Sequence, residues 1–265
     1  MDKLHDKEIL QIEYHDKEAY LKNKSLFVDA HFLFPKLLDI KDHSIQYEAK
    51  DLCSLKSVLS DKKDYPFILG YQFAEKLKKI HAIHVNQPMD CRKLYQTRLD
   101  KLFYELAFYQ VQYDNLYLYV DFVQNHSHLL QLACSNFIVK GIFLDQLYYY
   151  QGEVSFFDFA NCGPGDYHYD LVFLHEVALY SEEFAQGFME SYFQKEKNSI
   201  NYRLMAIFAG EQALQRLLKL YQKGGSSSEI ENTVHFLDSI IEQYDDFTSF
   251  IPNWIDLRRK NEKNS

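Results

Sequence analysis

The stretch Phe137–Leu171, FIVKGIFLDQLYYYQGEVSFFDFANCGPGDYHYDL, sets an acidic turn directly behind an apolar strand. Val154 to Phe157 is apolar apart from Ser155, and Tyr148 to Tyr150 is aromatic. Gln151 and Gly152 between them supply a two-residue turn, so the segment reads as a β-hairpin. Asp158 follows the second strand at once, which puts its carboxylate at a strand end, where sites are built on loops carried by a rigid scaffold. Gly163, Pro164 and Gly165 then predict a turn, and Asp166 and Asp170 straddle the start of an apolar helix. An N-cap role accounts for Asp166 without any chemistry, and a first-turn carboxylate favoured by the helix dipole does the same for Asp170.

Working outward, Leu69 to Ile83, LGYQFAEKLKKIHAI, reads as a long helix ending in a histidine. Phe184 to Phe193, FAQGFMESYF, follows the acidic turn, and FPKLLDIKDHSIQYEAKDLCSLKSVL lies upstream from Phe34 to Leu59. In order and spacing these pieces resemble the aminoglycoside phosphotransferase and choline kinase-like family, whose pattern is H-G-D-x-x-x-x-N, a hairpin, D-F or D-W, then G-D-x-x-x-D-L. The resemblance runs from about Ile9 to about Tyr221. It implies an α+β, bilobal, protein-kinase-like fold. Residues 1–49 would form a truncated amino-terminal lobe of short strands plus one helix, and residues 50–265 a mainly helical lobe bearing the hairpin.

The departures from that pattern bear on function. Placed without a gap, the family's His-Gly-Asp falls on Val139, Lys140 and Gly141, and its Asn on Gln146. In phosphoryl transfer the aspartate accepts or orients the nucleophile's proton and the Asn helps hold the metal; glycine does neither. Gln146 keeps an amide oxygen one methylene further out, Asp145 is a weak surrogate for the missing carboxylate, and the family's metal-binding aspartate survives as Asp158. Asp158 and Gln146 are therefore the candidate metal ligands. The strand EILQIEY, Glu8 to Tyr14, resembles the one that carries the phosphate-binding cation, with Gln11 at that position, and Glu18 is either the acid partnering that cation or a first-turn helix carboxylate. The adenine slot implied by the resemblance is Gln46, Glu48 and Ala49. Seven residues precede Glu8 and no glycine precedes Gly70, so no phosphate-cradling glycine loop is expected upstream.

Composition sets the outer bounds. A chain of 265 residues with 47% hydrophobic content can bury a large core. Its 21 Tyr and 21 Phe recur mostly at strand or helix spacing and read as core, not as base-stacking platforms. The net charge of -9 argues against a nucleic-acid partner. No stretch approaches ~18 apolar residues, which argues against a membrane span. The first fifteen residues are charged, so no signal peptide is expected, and Cys53, Cys91, Cys134 and Cys162 lie scattered without a C-x-x-C pair. Buried free thiols in a reducing cytoplasm are expected.

Helices are expected over about Lys17–Phe27, Leu94–Tyr109, Tyr117–Leu132, Ile200–Tyr221 and Ile230–Tyr244, with IQYEA around Ile45 as the last strand before the hinge. Everything after Asp64 is read as mainly helical except the central hairpin. KGGSSS, Lys223 to Ser228, predicts a flexible loop between helices, and Arg258 to Ser265 a frayed tail. His126 and His128 stand at i and i+2, off a shared helix face, and so read as polar side chains on a helix surface instead of a metal pair. His81 reads as a helix-terminal cation or a core hydrogen-bonder, and His168 as a residue able to touch whatever Asp158 binds.

The functional expectation is a degenerate kinase-fold protein that binds a small molecule or protein partner without efficient phosphoryl transfer and without a cofactor. The alternative is an active ATP- and Mg²⁺-dependent phosphotransferase acting on a hydroxyl of a small cationic substrate such as an aminoglycoside or choline.

Overall fold

The computed structural model describes residues 9–13, 37–41, 44–48, 52–61, 65–85, 89–156, 162–194 and 199–255. Near the amino terminus, β1 (Ile9–Glu13), β2 (Leu37–Ile40) and β3 (Ser44–Glu48) form an antiparallel sheet with β3 in the middle. Gln11 and Asp39 both pair with Gln46 across it, with an irregularity between Leu37 and Asp39. Tyr47 on the central strand is 1% exposed and shares a buried cluster with Leu55, Leu59 and Phe73, which ties this small lobe to the helical one. The helix expected at Lys17–Phe27, with Glu18, lies outside the described residues, as do Ala49 and the tail.

A second sheet joins β4 (Cys53–Ser54), β6 (Leu147–Tyr150) and β7 (Glu153–Phe156). The predicted hairpin is its outer part: Tyr150 pairs with Glu153, and the intervening Gln151 and Gly152 have φ of 49° and 89°. Two positive φ values are what a two-residue hairpin turn needs to match the strand twist, and glycine supplies one without strain. The Gly-Pro-Gly segment departs from expectation. It is not a free turn but a short strand, β8 (Gly163–Gly165), antiparallel to β5 (Asn136–Ile138), with Phe137 opposite Pro164. Both strands of a two-stranded ladder are edges, so a proline lacking its N–H is tolerated. Extended structure after Asp64 therefore exceeds the hairpin.

The helices follow the apolar periodicity. Between α1 (Leu55–Asp61) and α3 (Cys91–Phe108) lies α2 (Pro66–His81), which buries Leu69, Phe73, Leu77 and Ile80. The Phe73 ring lies edge-on to Phe156 and Phe173, which locks α2 onto the hairpin. Asp90 caps α3 by accepting Lys93 N–H at 3.0 Å. The helix expected over Tyr117–Leu132 divides into α4 (Leu116–His126) and a 3₁₀ segment, Ser127–Leu132. Beyond the acidic turn come α5 (Tyr167–Asp170), α6 (Phe173–Ala178), α7 (Glu182–Phe193), α8 (Ser199–Lys223) and α9 (Ser227–Gln243).

The 25-residue α8 is central, with every residue from Leu204 to Glu211 buried. Its junction with α9 is tight where a flexible loop was expected: Gly224 turns the chain at φ 65°, and Ser226 caps α9 in a reciprocal capping box with Glu229. Cys53, Cys91 and Cys162 are buried free thiols as expected; Cys134 is exposed, because it sits in the loop that leads into β5. Among the described residues no helix is long and apolar enough to cross a membrane.

Candidate functional site

The site is organised by the acidic turn. Asp166 caps α5 by accepting His168 N–H at 2.8 Å, as its position predicts. It does more: its other oxygen accepts Cys134 N–H at 2.6 Å, and its own N–H donates to the Tyr95 hydroxyl at 2.8 Å. Asp170 is 1% exposed and accepts the N–H groups of Val139 at 2.6 Å and Lys140 at 2.9 Å. A helix-dipole role therefore understates it, since its carboxylate clamps the segment that leaves β5. His81 Nε2 lies 3.1 Å from the same carboxylate, which can only accept, so this nitrogen donates; Nδ1 lies 2.5 Å from the Tyr192 hydroxyl. Of its two readings, His81 is the core hydrogen-bonder. His168 is buried with Nδ1 on Asp166 and Nε2 on Asn201, so both ring nitrogens are committed inside the fold.

The clamped segment has an unusual backbone. Lys140 adopts φ 64° and Gly141 φ 129°. The second value is one that L side chains rarely adopt, and a Cβ there would also press on the Phe143 ring at 3.3 Å. The position that the resemblance assigns to the catalytic aspartate thus has a conformation suited to glycine. Beyond it a 3₁₀ turn, Leu144–Gln146, presents Asp145 exposed and Gln146 half-buried.

These residues form one side of a cleft of about 290 Å³, with Lys140, Gly141, Phe143, Asp145 and Gln146 on the loop facing Tyr169 and a stripe of α8. The stripe is Gln212, Gln215, Arg216 and Lys219, spaced i, i+3, i+4 and i+7 along one helix face. Gly141, Asp145 and Gln146, three of the residues singled out from sequence, therefore meet at one opening. Asp158 lies outside the described residues.

Behind the stripe is a charged network that sequence reasoning did not find. Arg98 on α3 pairs with the buried Glu211 at 3.0 Å, donates to the Tyr169 hydroxyl at 3.0 Å, and lies 4.7 Å over the Tyr169 ring. Gln215 donates to the same Glu211 oxygen at 2.9 Å, and Gln212 donates to the Tyr169 carbonyl at 2.6 Å. The second Glu211 oxygen is buried with no hydrogen-bond partner. Burial pushes the Glu211 carboxyl up to about 7, against the pull of Arg98. The available sequence signal was the polar stripe on an otherwise apolar helix, with a glutamate one position before it.

The nucleotide positions look different. Gln11, where the resemblance places the phosphate cation, has its side-chain oxygen 3.0 Å from the Gln46 amide nitrogen, which donates to it. Glu48 lies 3.5 Å from the Tyr150 hydroxyl, a long contact. A pair of neutral amides bonded to each other does not fit a polyphosphate, whose charge calls for a cation or a nest of free N–H groups. Among the described residues no cluster of three His, Cys, Asp or Glu could hold a metal ion. His126 and His128 turn their Nδ1 atoms to the Phe122 and Asn125 carbonyls; His128 is exposed as expected, whereas His126 is half-buried against the Phe122 and Phe250 rings.

No family model and no curated protein matches the sequence. Solved structures do match. They include a choline/ethanolamine kinase family protein from Mesorhizobium loti (TM-score 0.64, 10% identity, covering 91% of this chain and 84% of that one). The choline kinase LicA from Streptococcus pneumoniae has a TM-score of 0.59 at 15% identity, covering 89% and 86%. The APH(2")-IIa of a gentamicin complex has a TM-score of 0.59 at 12% identity, covering 93% and 88%. The fold is the kinase-like α+β fold that choline kinases share with aminoglycoside phosphotransferases, built here around a loop with glycine at its centre.

Proposed function

We propose that this protein is a degenerate member of the kinase-like fold, a binding protein whose cleft receives a small molecule or a partner without efficient phosphoryl transfer. Residues 1–49 form its small lobe and residues 50–265 its large one. The observation that carries the reading is the backbone at Gly141, whose φ of 129° is one that L side chains rarely adopt. The base position is therefore rebuilt, not merely substituted. The Gln11–Gln46 amide pair adds to it, since the phosphates of a nucleotide find no cation there. Each charged contact removed from a transition state costs ~3 kcal/mol, so losing several leaves a rate near background. Asp158 and Gln146 supply one carboxylate and one amide, a weak set for Mg²⁺ without substrate phosphates. The adenine slot at Gln46, Glu48 and Ala49 would give weak nucleotide affinity at most.

A second reading, an active phosphotransferase, has one observation in its favour: Asp145 lines the same cleft as Gly141. Radiolabelled ATP with Mg²⁺ and either gentamicin or choline separates the two. No transfer above background is expected. Transfer by the wild type that disappears in Asp145→Asn would overturn the binding-protein reading and make Asp145 the base.

A further inference from the structure

We infer that the cleft between the loop Lys140–Gln146 and the face of α8 selects an anionic small molecule, a phosphomonoester bearing hydroxyl groups, and rejects cations. The inference rests on the cleft being a binding site, as proposed above, and adds the chemistry of its ligand.

The chain as a whole carries a net charge of -9, yet the α8 side of this opening presents Arg216 and Lys219 against one lining acid, Asp145; Lys140 also lines it, but its ammonium lies beside Gly163. A basic lining on an acidic protein is a local feature that net charge alone would not produce. Arg216 is held by its stem and plane, with the guanidinium 4.6 Å over the Phe236 ring, while its contact with Glu176 is loose at 4.0 Å. Lys219 is exposed, one helical turn further along the same face, and among the described residues no carboxylate pairs with it. Two cations at i and i+3 on one helix face can converge on a single phosphate, one offering a planar fork and the other a point charge. The acid side is partly answered already, since the Lys56 ammonium lies within electrostatic reach of both Asp145 and Glu176.

The remaining lining suits the body of such a molecule. The Gln212 amide nitrogen is committed to the Tyr169 carbonyl, which leaves its oxygen to accept a hydroxyl; Gln146 offers a second amide. Phe143 and Tyr169 supply the apolar walls. At about 290 Å³ the space sits at the low end of the ~300–1,000 Å³ typical of ligand sites, so the ligand is small. A quaternary ammonium or a polyamine sugar would meet Arg216 and Lys219 without enough carboxylates to offset them, and repulsion of that kind rejects wrong ligands.

The test is equilibrium binding without nucleotide, by thermal shift and calorimetry on the full chain, with inorganic phosphate, glycerol 3-phosphate and glucose 6-phosphate. Glucose and choline serve as uncharged and cationic counterparts. At least one phosphate compound should raise the melting temperature while glucose and choline do not, and its affinity should fall with added NaCl. Lys219→Glu, an exposed substitution, should weaken it roughly tenfold or more, with Arg216→Gln acting in the same direction. Lys101→Glu, the same charge change on α3 outside the lining, should leave it unaltered. No response to any phosphate compound, a response to choline, or equal affinity in Lys219→Glu would each overturn the inference. None of these depends on turnover, so they leave the catalytic question to the radiolabel assay: anion binding together with transfer would sink the proposed function alone.

Discussion

The network behind the cleft and the network around His175 both reach into the core but are built on opposite lines. His175, on α6, donates through Nδ1 to the Gln243 side-chain oxygen at 2.7 Å and lies 2.9 Å from the Tyr244 hydroxyl through Nε2. Gln243 returns a bond to the His175 carbonyl at 3.1 Å, and the Trp254 indole donates to Gln243 at 3.0 Å. Every member is neutral, and three distant segments are pinned together. Burial holds the His175 imidazole at about 4, so it is uncharged at any ordinary pH. Beside the cleft, by contrast, Asp170, Glu211 and Arg98 are ionisable, and one Glu211 oxygen has no partner. A neutral, closed network is the economical way to specify a core; buried charge carries a desolvation cost and is found where a site needs it. The contrast supports the proposal that the cleft wall, not the His175 end, is the functional side.

The largest test of that contrast is Asp170→Ala. It orphans two backbone N–H groups and His81 at once, so a loss of ~3–5 kcal/mol is expected in urea unfolding, with the loop Val139–Gln146 the first segment to lose hydrogen-exchange protection. A loss under ~1 kcal/mol would show that the clamp does not hold the loop.

His175→Phe should follow, at ~2–4 kcal/mol, by leaving Gln243 and Tyr244 unpaired. It also has a pH signature. A histidine whose folded value is depressed contributes stability that is complete above about 6.5 and is lost as pH falls toward about 4. Melting temperature followed from pH 7 to pH 4 should fall less steeply in the variant than in the wild type.

Gly141→Asp places a side chain on a backbone with φ 129° and against Phe143. It should destabilise by ~1–3 kcal/mol and confer no phosphotransfer. Activity appearing in this variant would mean that the loop relaxes readily and that one missing carboxylate separates this protein from a kinase.

The smallest effect on stability is expected for Glu211→Gln, within ~1 kcal/mol at pH 5, because the amide keeps the shape and the bond to Arg98. Its signature is the reverse of the His175 one. A carboxyl raised to about 7 contributes stability that is complete below its unfolded value of about 4.3 and is lost as pH rises through about 7. That decline should vanish in the variant. If both variants gave the same slope, the distinction between a charged and a neutral network would fail.

Some of this molecule was determined by the sequence alone. The hairpin at Gln151–Gly152, the helices over Pro66–His81 and Cys91–Phe108, and the N-cap at Asp166 all follow from turn chemistry and periodicity, which act over a few residues. So does the resemblance-based expectation that Gly141 and Gln146 stand where the family pattern has Asp and Asn, which needs only preserved spacing to be read. Tertiary structure alone decided the rest. That Gly163–Gly165 is a strand depends on Asn136–Ile138 lying alongside, and that Asp170 is a clamp depends on Val139 and Lys140 arriving within reach. Arg216 and Lys219 are ordinary surface-type residues in the sequence, one turn apart on a helix but far along the chain from the loop Lys140–Gln146 that they face. They become one basic opening because packing of α8 against the loop turns a particular helix face toward it, and helical periodicity names the faces without saying which of them meets a distant segment.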